Sequence, residues 1–296
     1  SVYPITAAVN RNCFSEDRRM DSWHKKVTCC VHCSSEDTDS IGNTELGYAR
    51  YKCHDCKRTF NERTGTPFNR LEYPTDVALQ VVRWYLMYKL SLRDLTEIFS
   101  ERGIIFTHET VRDWVLRFTP LITTELRRRR AGKVGESWYI DETYVRIKGK
   151  DCYLYRAVDR AGNLVDCMLS ETRDMGAAKR FLRGAKSVTG LKPLRATTDG
   201  HPSYPRAIKE ILGSQVLHRV NAYLINYTEQ SHRPIKQRYY PMRGFGAFKS
   251  ASIICRGFEE IRNFFVPKYN SSFSLKEKRR IGASKLFSFN KMISAY

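Results

Sequence analysis

The sequence has no apolar run as long as the roughly 20 residues that a transmembrane helix needs. Its first residues lack both a basic segment and a full apolar core, so a secretory signal peptide is not expected. Acidic residues are scarce, with 31 Asp and Glu against 51 Lys and Arg, and the formal net charge is +20. This excess favours a polyanionic partner, usually nucleic acid, over a charge that serves solubility alone.

Nine cysteines are present, and four of them form two C-x2-C pairs. This usage favours metal binding in a reducing, cytoplasmic compartment over a disulfide framework. Cys30-Val-His-Cys33 and Cys53-His-Asp-Cys56 form the pattern C-x2-C-x19-C-x2-C, which is typical of a structural zinc site with four thiolate ligands. Residues 29–70 are therefore predicted to be a zinc ribbon with one Zn²⁺, and residues 1–28 a loosely ordered arm. Free thiols or a disulfide pair are the alternative. The side chains that compete as ligands are Cys29, His32 and His54.

Residues 71–133 have the periodicity of three helices. Pro74 precedes the first helix, Ser91-Leu-Arg-Asp94 is a variant capping box that begins the second, Gly103 ends the second, and Thr107 begins the third. A helix, a short turn with glycine and a second helix are typical of a helix-turn-helix, which inserts its second helix into the major groove of DNA. The alternative is a helical bundle that only packs on the core. The net charge and the adjoining ribbon favour DNA binding. The groove-facing residues are predicted to be His108, Thr110 and Arg112.

Two basic segments flank the remaining domain. The four arginines Arg127, Arg128, Arg129 and Arg130 are predicted to form a linker that contacts DNA phosphates or is only solvated. Residues 267–296 contain seven Lys and Arg against one Glu, together with several serines. They are predicted to be a flexible basic tail, either a non-specific DNA contact or a solvated end.

Residues 134–266 are predicted to be an α/β domain with a mixed five-stranded sheet. Trp138–Val145 is rich in aromatic and β-branched residues and predicts a strand with Asp141 at its centre. Two further strands complete a meander, and a helix, a strand, a helix, a strand and a helix follow. This order is that of the ribonuclease H-like fold.

Three carboxylates are predicted to converge on one place in this fold. Asp141 lies on the first strand, Asp199 lies just past the fourth, and Glu229 lies on the last helix. Together they favour a site for two Mg²⁺ (or Mn²⁺) ions, which take oxygen ligands and support phosphoryl transfer. Considered singly, Asp141 is explained by an edge strand that faces water, and Glu229 by an ordinary ion pair. The basic residues on the same helix face as Glu229 are His232, Arg233 and Lys236.

Several separated motifs resemble those of the Asp-Asp-Glu transposases of bacterial insertion sequences, and the insertion-sequence-six family most closely. They are Tyr139-Ile-Asp-Glu-Thr-Tyr144, Tyr153-Leu-Tyr-Arg-Ala-Val-Asp159, Thr198-Asp-Gly-His-Pro-Ser-Tyr-Pro205 and Glu229-Gln-Ser-His-Arg233. The resemblance implies that Asp141, Asp199 and Glu229 are the metal-binding triad. It also implies a homodimer or higher oligomer on the terminal inverted repeats. Two departures are the short interval of 29 residues between Asp199 and Glu229 and the added zinc ribbon.

The function expected from these features is that of a DNA transposase. The enzyme would nick DNA at the end of its element and join the freed 3′-hydroxyl to target DNA. Two alternatives are a transposase-derived DNA-binding regulator without catalysis and a nuclease of the same fold. The presence of all three acidic residues argues against the regulator.

Overall fold

The computed structural model describes residues 14–15, 26–27, 29–221, 232–240, 244–266 and 274–293. The chain divides into two compact units, residues 1–81 with 293–296 and residues 82–292. The described residues of the smaller unit form a two-stranded and a three-stranded sheet, and those of the larger unit form a five-stranded sheet.

The smaller unit contains a three-stranded antiparallel sheet in which a central strand pairs with both neighbours. Its strands are β1 (Phe14–Ser15) and β2 (Lys26–Val27), which pair with each other, and β3 (Thr38–Asn43), β4 (Ala49–Cys53) and β5 (Thr59–Asn61) of the sheet. Local periodicity does not indicate β3, because this strand is mostly exposed and has no apolar alternation. Phe60 packs against Cys30 and Cys53 in a small core.

Three helices follow where the sequence predicts them: α1 (Thr75–Met87), α2 (Leu92–Ser100) and α3 (His108–Arg130). The predicted capping box is confirmed, because the Asp94 N–H donates to Ser91 Oγ at 3.0 Å and the Ser91 N–H donates to Asp94 Oδ2 at 2.8 Å. The rings of Phe99, Phe106 and Trp114 lie 5.5 and 5.0 Å apart in a row. This aromatic contact packs α2 onto α3.

The predicted basic linker is wrong, because α3 continues to Arg130. Arg130 donates to both carboxylate oxygens of Glu260, at 3.0 and 2.7 Å, and Arg127 Nη1 lies 3.0 Å from Asp166 Oδ1. A buried charge is costly unless it is paired, so these ion pairs hold the last turn of the helix against its neighbours. Composition alone showed four cations but not that two of them point inward.

The larger unit is built on a mixed five-stranded sheet in the order β10-β9-β6-β7-β8. Its strands are β6 (Ser137–Ile147), β7 (Lys150–Asp159), β8 (Leu164–Ser170), β9 (Arg195–Thr198) and β10 (Leu217–Val220). The first three form an antiparallel meander, β9 is parallel to β6, and β10 is parallel to β9. Lys148 and Gly149 both have positive φ and form the two-residue turn between β6 and β7. The predicted ribonuclease H-like strand order is confirmed.

Helices α4 (Met175–Thr189) and α5 (Tyr204–Ile211) lie on one face of this sheet, and α7 (Phe248–Phe265) lies on the other. The chain also forms α6 (residues 232–239) and α8 (Leu275–Ile293). Helices α4 and α5 bury Phe181 and Tyr204 against Trp138 and Ile140. On the other face, Glu259 of α7 pairs with Arg156 of β7 at 2.8 Å. None of the helices in the described ranges is long and apolar enough to cross a membrane.

The predicted flexible tail is wrong over residues 275–293, which form α8. The Phe289 ring is 5.3 Å from the ring of Phe265 and 6.3 Å from the ring of Phe264. Burial of this aromatic residue, which is 2% exposed, orders a segment that its charge had suggested was free. The basic residues Lys276, Lys278, Arg279 and Arg280 remain exposed on the same helix.

A close crossing of α3 and α7 leads to a stability prediction. A Cβ at Gly257 would lie 2.2 Å from Thr119 Cγ2 and 3.2 Å from Leu86 Cδ2, and both neighbours are fully buried. We expect Gly257→Ala to lower the free energy of unfolding by about 1–3 kcal/mol through overpacking. A denaturant titration measures this change. Gly282→Ala is the control, because its Cβ would meet nothing within 4 Å, and an equal loss there would contradict the packing argument.

Candidate active site

Asp141 and Asp199 lie side by side because β6 and β9 are parallel neighbours. The last paired residues of these strands are Tyr139 and Thr197, and each carboxylate follows two positions later. One oxygen of each of Asp141, Glu142 and Asp199 lies within 4.8 Å of the others. The Asp141 side chain is 12% exposed and that of Asp199 is 30% exposed, so solvent reaches the cluster beside Asp199. Clustered carboxylate oxygens are the hard ligands that Mg²⁺ and Mn²⁺ prefer.

The loop that carries Asp199 is held by hydrogen bonds from the following residues. The His201 N–H donates to Asp199 Oδ1 at 2.9 Å. Gly200 between them has φ +89°, and a Cβ there would lie 2.7 Å from Val220 Cγ1 on β10. Only glycine fits this close approach without strain, so the turn fixes the direction of the carboxylate.

Glu142 and Arg173 were not predicted as site residues. Glu142 follows Asp141 on β6, and its side chain is 2% exposed. Its carboxylate accepts hydrogen bonds from Arg173 Nε and from the Tyr204 hydroxyl. Arg173 Nη2 also donates to Asp199 Oδ2 at 2.8 Å. Arg173 therefore connects two of the three clustered carboxylates.

The protonation states of this group follow from its surroundings. Burial and the nearby Glu142 carboxylate raise the pKa of the Tyr204 phenol well above its usual value. Burial lowers the pKa of Arg173, but the hydrogen bond and charge of Glu142 outweigh it and raise the pKa overall. Tyr204 therefore remains a neutral donor, and Arg173 remains a cation.

Helix α6 brings one predicted residue to the carboxylates. His232 is 2% exposed, and its Nε2 lies 3.4 Å from Asp141 Oδ2. Arg233 is exposed and Lys236 is partly exposed on the same helix. Glu229 lies outside the described residues, as does the predicted helix start near it.

The four cysteines of the two C-x2-C pairs converge in the smaller unit. Their Sγ atoms lie within 4.8 Å of one another, with 3.7 Å between Cys30 and Cys56 and 3.6 Å between Cys33 and Cys53. The Cys56 N–H donates to Cys53 Sγ at 3.5 Å, and this backbone hydrogen bond is the main cause that lowers the pKa of Cys53 to about 7. A thiol with this pKa is readily available as a thiolate, the form that binds zinc.

Two of the competing ligands are engaged elsewhere. His54 Nε2 lies 2.7 Å from Asp39 Oδ2, and Cys29 is disulfide-bonded. The His32 ring lies edge-on to Phe60, with 6.2 Å between ring centres. The geometry thus brings together the same four cysteines that the spacing predicted as ligands, Cys30, Cys33, Cys53 and Cys56.

The predicted DNA-contacting residues occupy two ends of α3. His108, Thr110 and Arg112 lie in its first turns, where Arg112 is exposed and pairs with Glu109, and the Thr110 N–H donates to Thr107 Oγ1 at 3.3 Å. At the other end, the side chains of Arg128 and Arg129 are 73% and 36% exposed, whereas those of Arg127 and Arg130 are 18% and 9% exposed. Of the four arginines, Arg128 and Arg129 therefore have the side chains that are accessible from solvent.

Comparison with solved structures gives a distant match. The HTLV-2 integrase catalytic core domain in complex with magnesium is 18% identical, with a TM-score of 0.37, over 48% of this chain and 93% of that chain. This TM-score is too low to support an argument from the match. The ribonuclease H-like fold is therefore assigned from the strand order and strand directions of the sheet.

Comparison with known sequences gives a closer match. Residues 135–267 match a family model described as a DDE domain (DDE_Tnp_IS240). The transposase for insertion sequence-like element IS431mec of Staphylococcus aureus is 38% identical over 175 residues, covering 58% of this chain and 77% of that protein. The transposase for insertion sequence element IS257 in transposon Tn4003 of the same species is 37% identical with the same coverage. The chain therefore belongs to the DDE transposases of insertion sequences, in the insertion-sequence-six family.

Proposed function

We propose that Asp141 and Asp199 bind the divalent ions of this transposase, two Mg²⁺ or Mn²⁺ per active site, and that Glu229 completes the second ion site. The main support is the cluster of carboxylate oxygens within 4.8 Å on neighbouring parallel strands. When bound, such ions activate water and neutralise charge on the reacting phosphate. The role of Glu229 rests on the motif of the family and on its position three residues before His232 in the sequence.

Helix α6 supplies the basic groups of the proposed reaction. His232, 3.4 Å from Asp141, orients that carboxylate and the scissile phosphate beside it. The exposed Arg233 neutralises the phosphate, and Lys236 contacts the flanking DNA backbone. The exposure of these side chains supports the roles, because the buried His232 contacts a carboxylate and the exposed Arg233 is accessible to a phosphate.

The proposed reaction has two phosphoryl transfers. In the first, a water oxygen attacks the phosphorus at the end of the element, and the 3′-oxygen leaves and takes up a proton. In the second, that 3′-hydroxyl loses its proton and attacks a phosphodiester of target DNA. The 3′-oxygen of the target strand leaves and takes up a proton, so one new bond forms for each bond that breaks. The carboxylates remain unchanged through both steps.

End recognition is assigned to the elements before the catalytic sheet. In this proposal, α2 and α3 form the helix-turn-helix that reads the terminal inverted repeats through His108, Thr110 and Arg112. Arg128 and Arg129 contact phosphates. The zinc ribbon of residues 29–70, which binds one Zn²⁺ through its four thiols, assists this recognition. The enzyme acts as a homodimer or higher oligomer at the nucleoid of the cytoplasm.

The proposal is tested by incubating the full chain with a labelled DNA end from its own locus, with Mg²⁺ or Mn²⁺, beside Asp141→Asn and Glu229→Gln. Metal-dependent nicking and joining that both variants lose is the expected result. Cleavage without joining would favour a nuclease. Specific binding without either reaction, in zinc-loaded protein, would favour a DNA-binding regulator.

A further inference from the structure

Arg173 directly contacts two of the three clustered carboxylates, Glu142 and Asp199. It lies between β8 and α4, and its side chain is 26% exposed. Its Nε donates to Glu142, while its Nη2 donates to Asp199 Oδ2 at 2.8 Å. One guanidinium thus bridges a buried carboxylate and a carboxylate open to solvent.

The two ends of this bridge differ in how firmly they are held. The Glu142 side chain is 2% exposed and also accepts a hydrogen bond from Tyr204, which is fully buried at the start of α5. Asp174, next to Arg173, caps α4 through a hydrogen bond from the Ala177 N–H at 2.7 Å and so fixes the local backbone. Asp199 lies in a solvent-facing turn instead. The contact to Asp199 is therefore the one that can exchange.

We propose that Arg173 is a counter-ion that releases Asp199 when a divalent ion binds and then pairs with a phosphate oxygen of the bound DNA. Glu142 and Tyr204 are its positioning residues. This inference rests on the proposed metal site at Asp141 and Asp199. An arginine fork suits the exchange, because its planar N–H groups pair equally well with a carboxylate or a phosphate.

Electrostatics gives this role two opposite consequences. Before the metal binds, the positive charge of Arg173 offsets part of the repulsion among the three clustered carboxylates. The same charge repels the approaching divalent ion. After DNA binds, the same charge attracts the phosphate. Removal of Arg173 should therefore strengthen metal binding by the free protein but weaken the DNA complex. A purely structural ion pair would weaken both.

The first test measures Mn²⁺ binding to the full chain without DNA, by calorimetry or by electron paramagnetic resonance of free Mn²⁺. For Arg173→Gln we expect the Kd to fall by about tenfold, which is the effect of removing one unit charge at a partly exposed site. Arg206→Gln is the matched control, because it removes an arginine from α5 that pairs with Glu210 away from the carboxylates. Its Kd should equal that of the wild type.

The second test measures binding of the labelled DNA end with Mn²⁺ present. Arg173→Gln should weaken binding by about tenfold, and Arg173→Lys should recover part of the loss because it retains the charge without the fork. Tyr204→Phe should give a smaller change in the same directions, since it removes one hydrogen bond from Glu142. Thermal melting identifies any variant that is unfolded, and the lysine variant then decides the result.

The outcomes separate this inference from the proposed function. If the wild type binds no Mn²⁺ and does not nick DNA, the proposed metal site fails. If the wild type does both but Arg173→Gln leaves Mn²⁺ affinity unchanged or lower, the counter-ion role is overturned. Tighter Mn²⁺ binding with unchanged DNA binding would overturn the exchange to phosphate.

Discussion

Asp199→Asn is expected to reduce nicking of the DNA end by about three orders of magnitude or more, because the neutral amide cannot replace the charge of a metal-binding carboxylate. The substitution preserves shape. The amide oxygen can still accept the hydrogen bond that the His201 N–H gives to Asp199 at 2.9 Å, so the turn should persist. The loss would therefore report the charge of the carboxylate and not a collapsed loop. Nicking and joining of a labelled oligonucleotide measure it.

Asp151→Asn is the matched control for this prediction. Asp151 belongs to the same sheet, but its side chain is 54% exposed and lies 3.5 Å from Arg146, outside the carboxylate cluster. We expect nicking by this variant to equal that of the wild type. Retained nicking by folded Asp199→Asn, or an equal loss in Asp151→Asn, would contradict the assignment of Asp199.

The catalytic fold could be predicted from the sequence because its signals are local. Aromatic and β-branched residues mark β6 and β7, and the Lys148-Gly149 turn separates them. The Ser91 capping box marks α2 in the same way. Strand β3 escaped prediction because it is mostly exposed and owes its place to pairing with β4. Pairing between strands is a tertiary contact that local periodicity does not report.

The candidate site was predictable only in part, for the same reason. Asp141 and Asp199 could be brought together once the strand order was known, because parallel neighbours end at one edge. The bridge from Glu142 to Asp199 through Arg173 joins three separate elements, and no local pattern indicates it. The adjacency of Asp141 and Glu142 in the sequence could have indicated a second carboxylate in the site. Because successive side chains on a strand point to opposite faces, the pattern predicted only Asp141 there.

Arginine content proved the least informative feature. Arg127 and Arg130 form ion pairs with Asp166 and Glu260, although they belong to a run that resembles a DNA-binding linker. The net charge of the sequence is the same whether an arginine forms a buried ion pair or an exposed contact with a phosphate. Only the acidic partners, which lie 39 and 130 residues away along the chain, distinguish the two.

Cys53→Ser is expected to abolish the zinc site and to unfold the sheet of β3, β4 and β5. Cys53 is fully buried, and with Cys30 and Phe60 it forms a hydrophobic core of three buried residues. A core this small cannot order a domain without a metal or another cross-link. Zinc contributes on the order of 10 kcal/mol or more to the folding of such sites, far more than an ordinary side-chain substitution removes. Bound zinc, measured by mass spectrometry of the purified chain, should fall from one ion per chain towards zero.

Cys152→Ser is the control that separates loss of a ligand from loss of any buried thiol. Cys152 is 5% exposed on β7 of the catalytic sheet, and its thiol lies in the other compact unit. We expect this variant to retain its zinc, since serine there removes no ligand.

Because the active-site carboxylates belong to the unit of residues 82–292, Cys53→Ser should still bind Mn²⁺ at that site while it loses recognition of the DNA end. Full zinc content in Cys53→Ser would show that the four thiols are not the ligand set. Loss of zinc together with unchanged recognition of the DNA end would remove the ribbon from the proposed DNA interface and leave it a purely structural element.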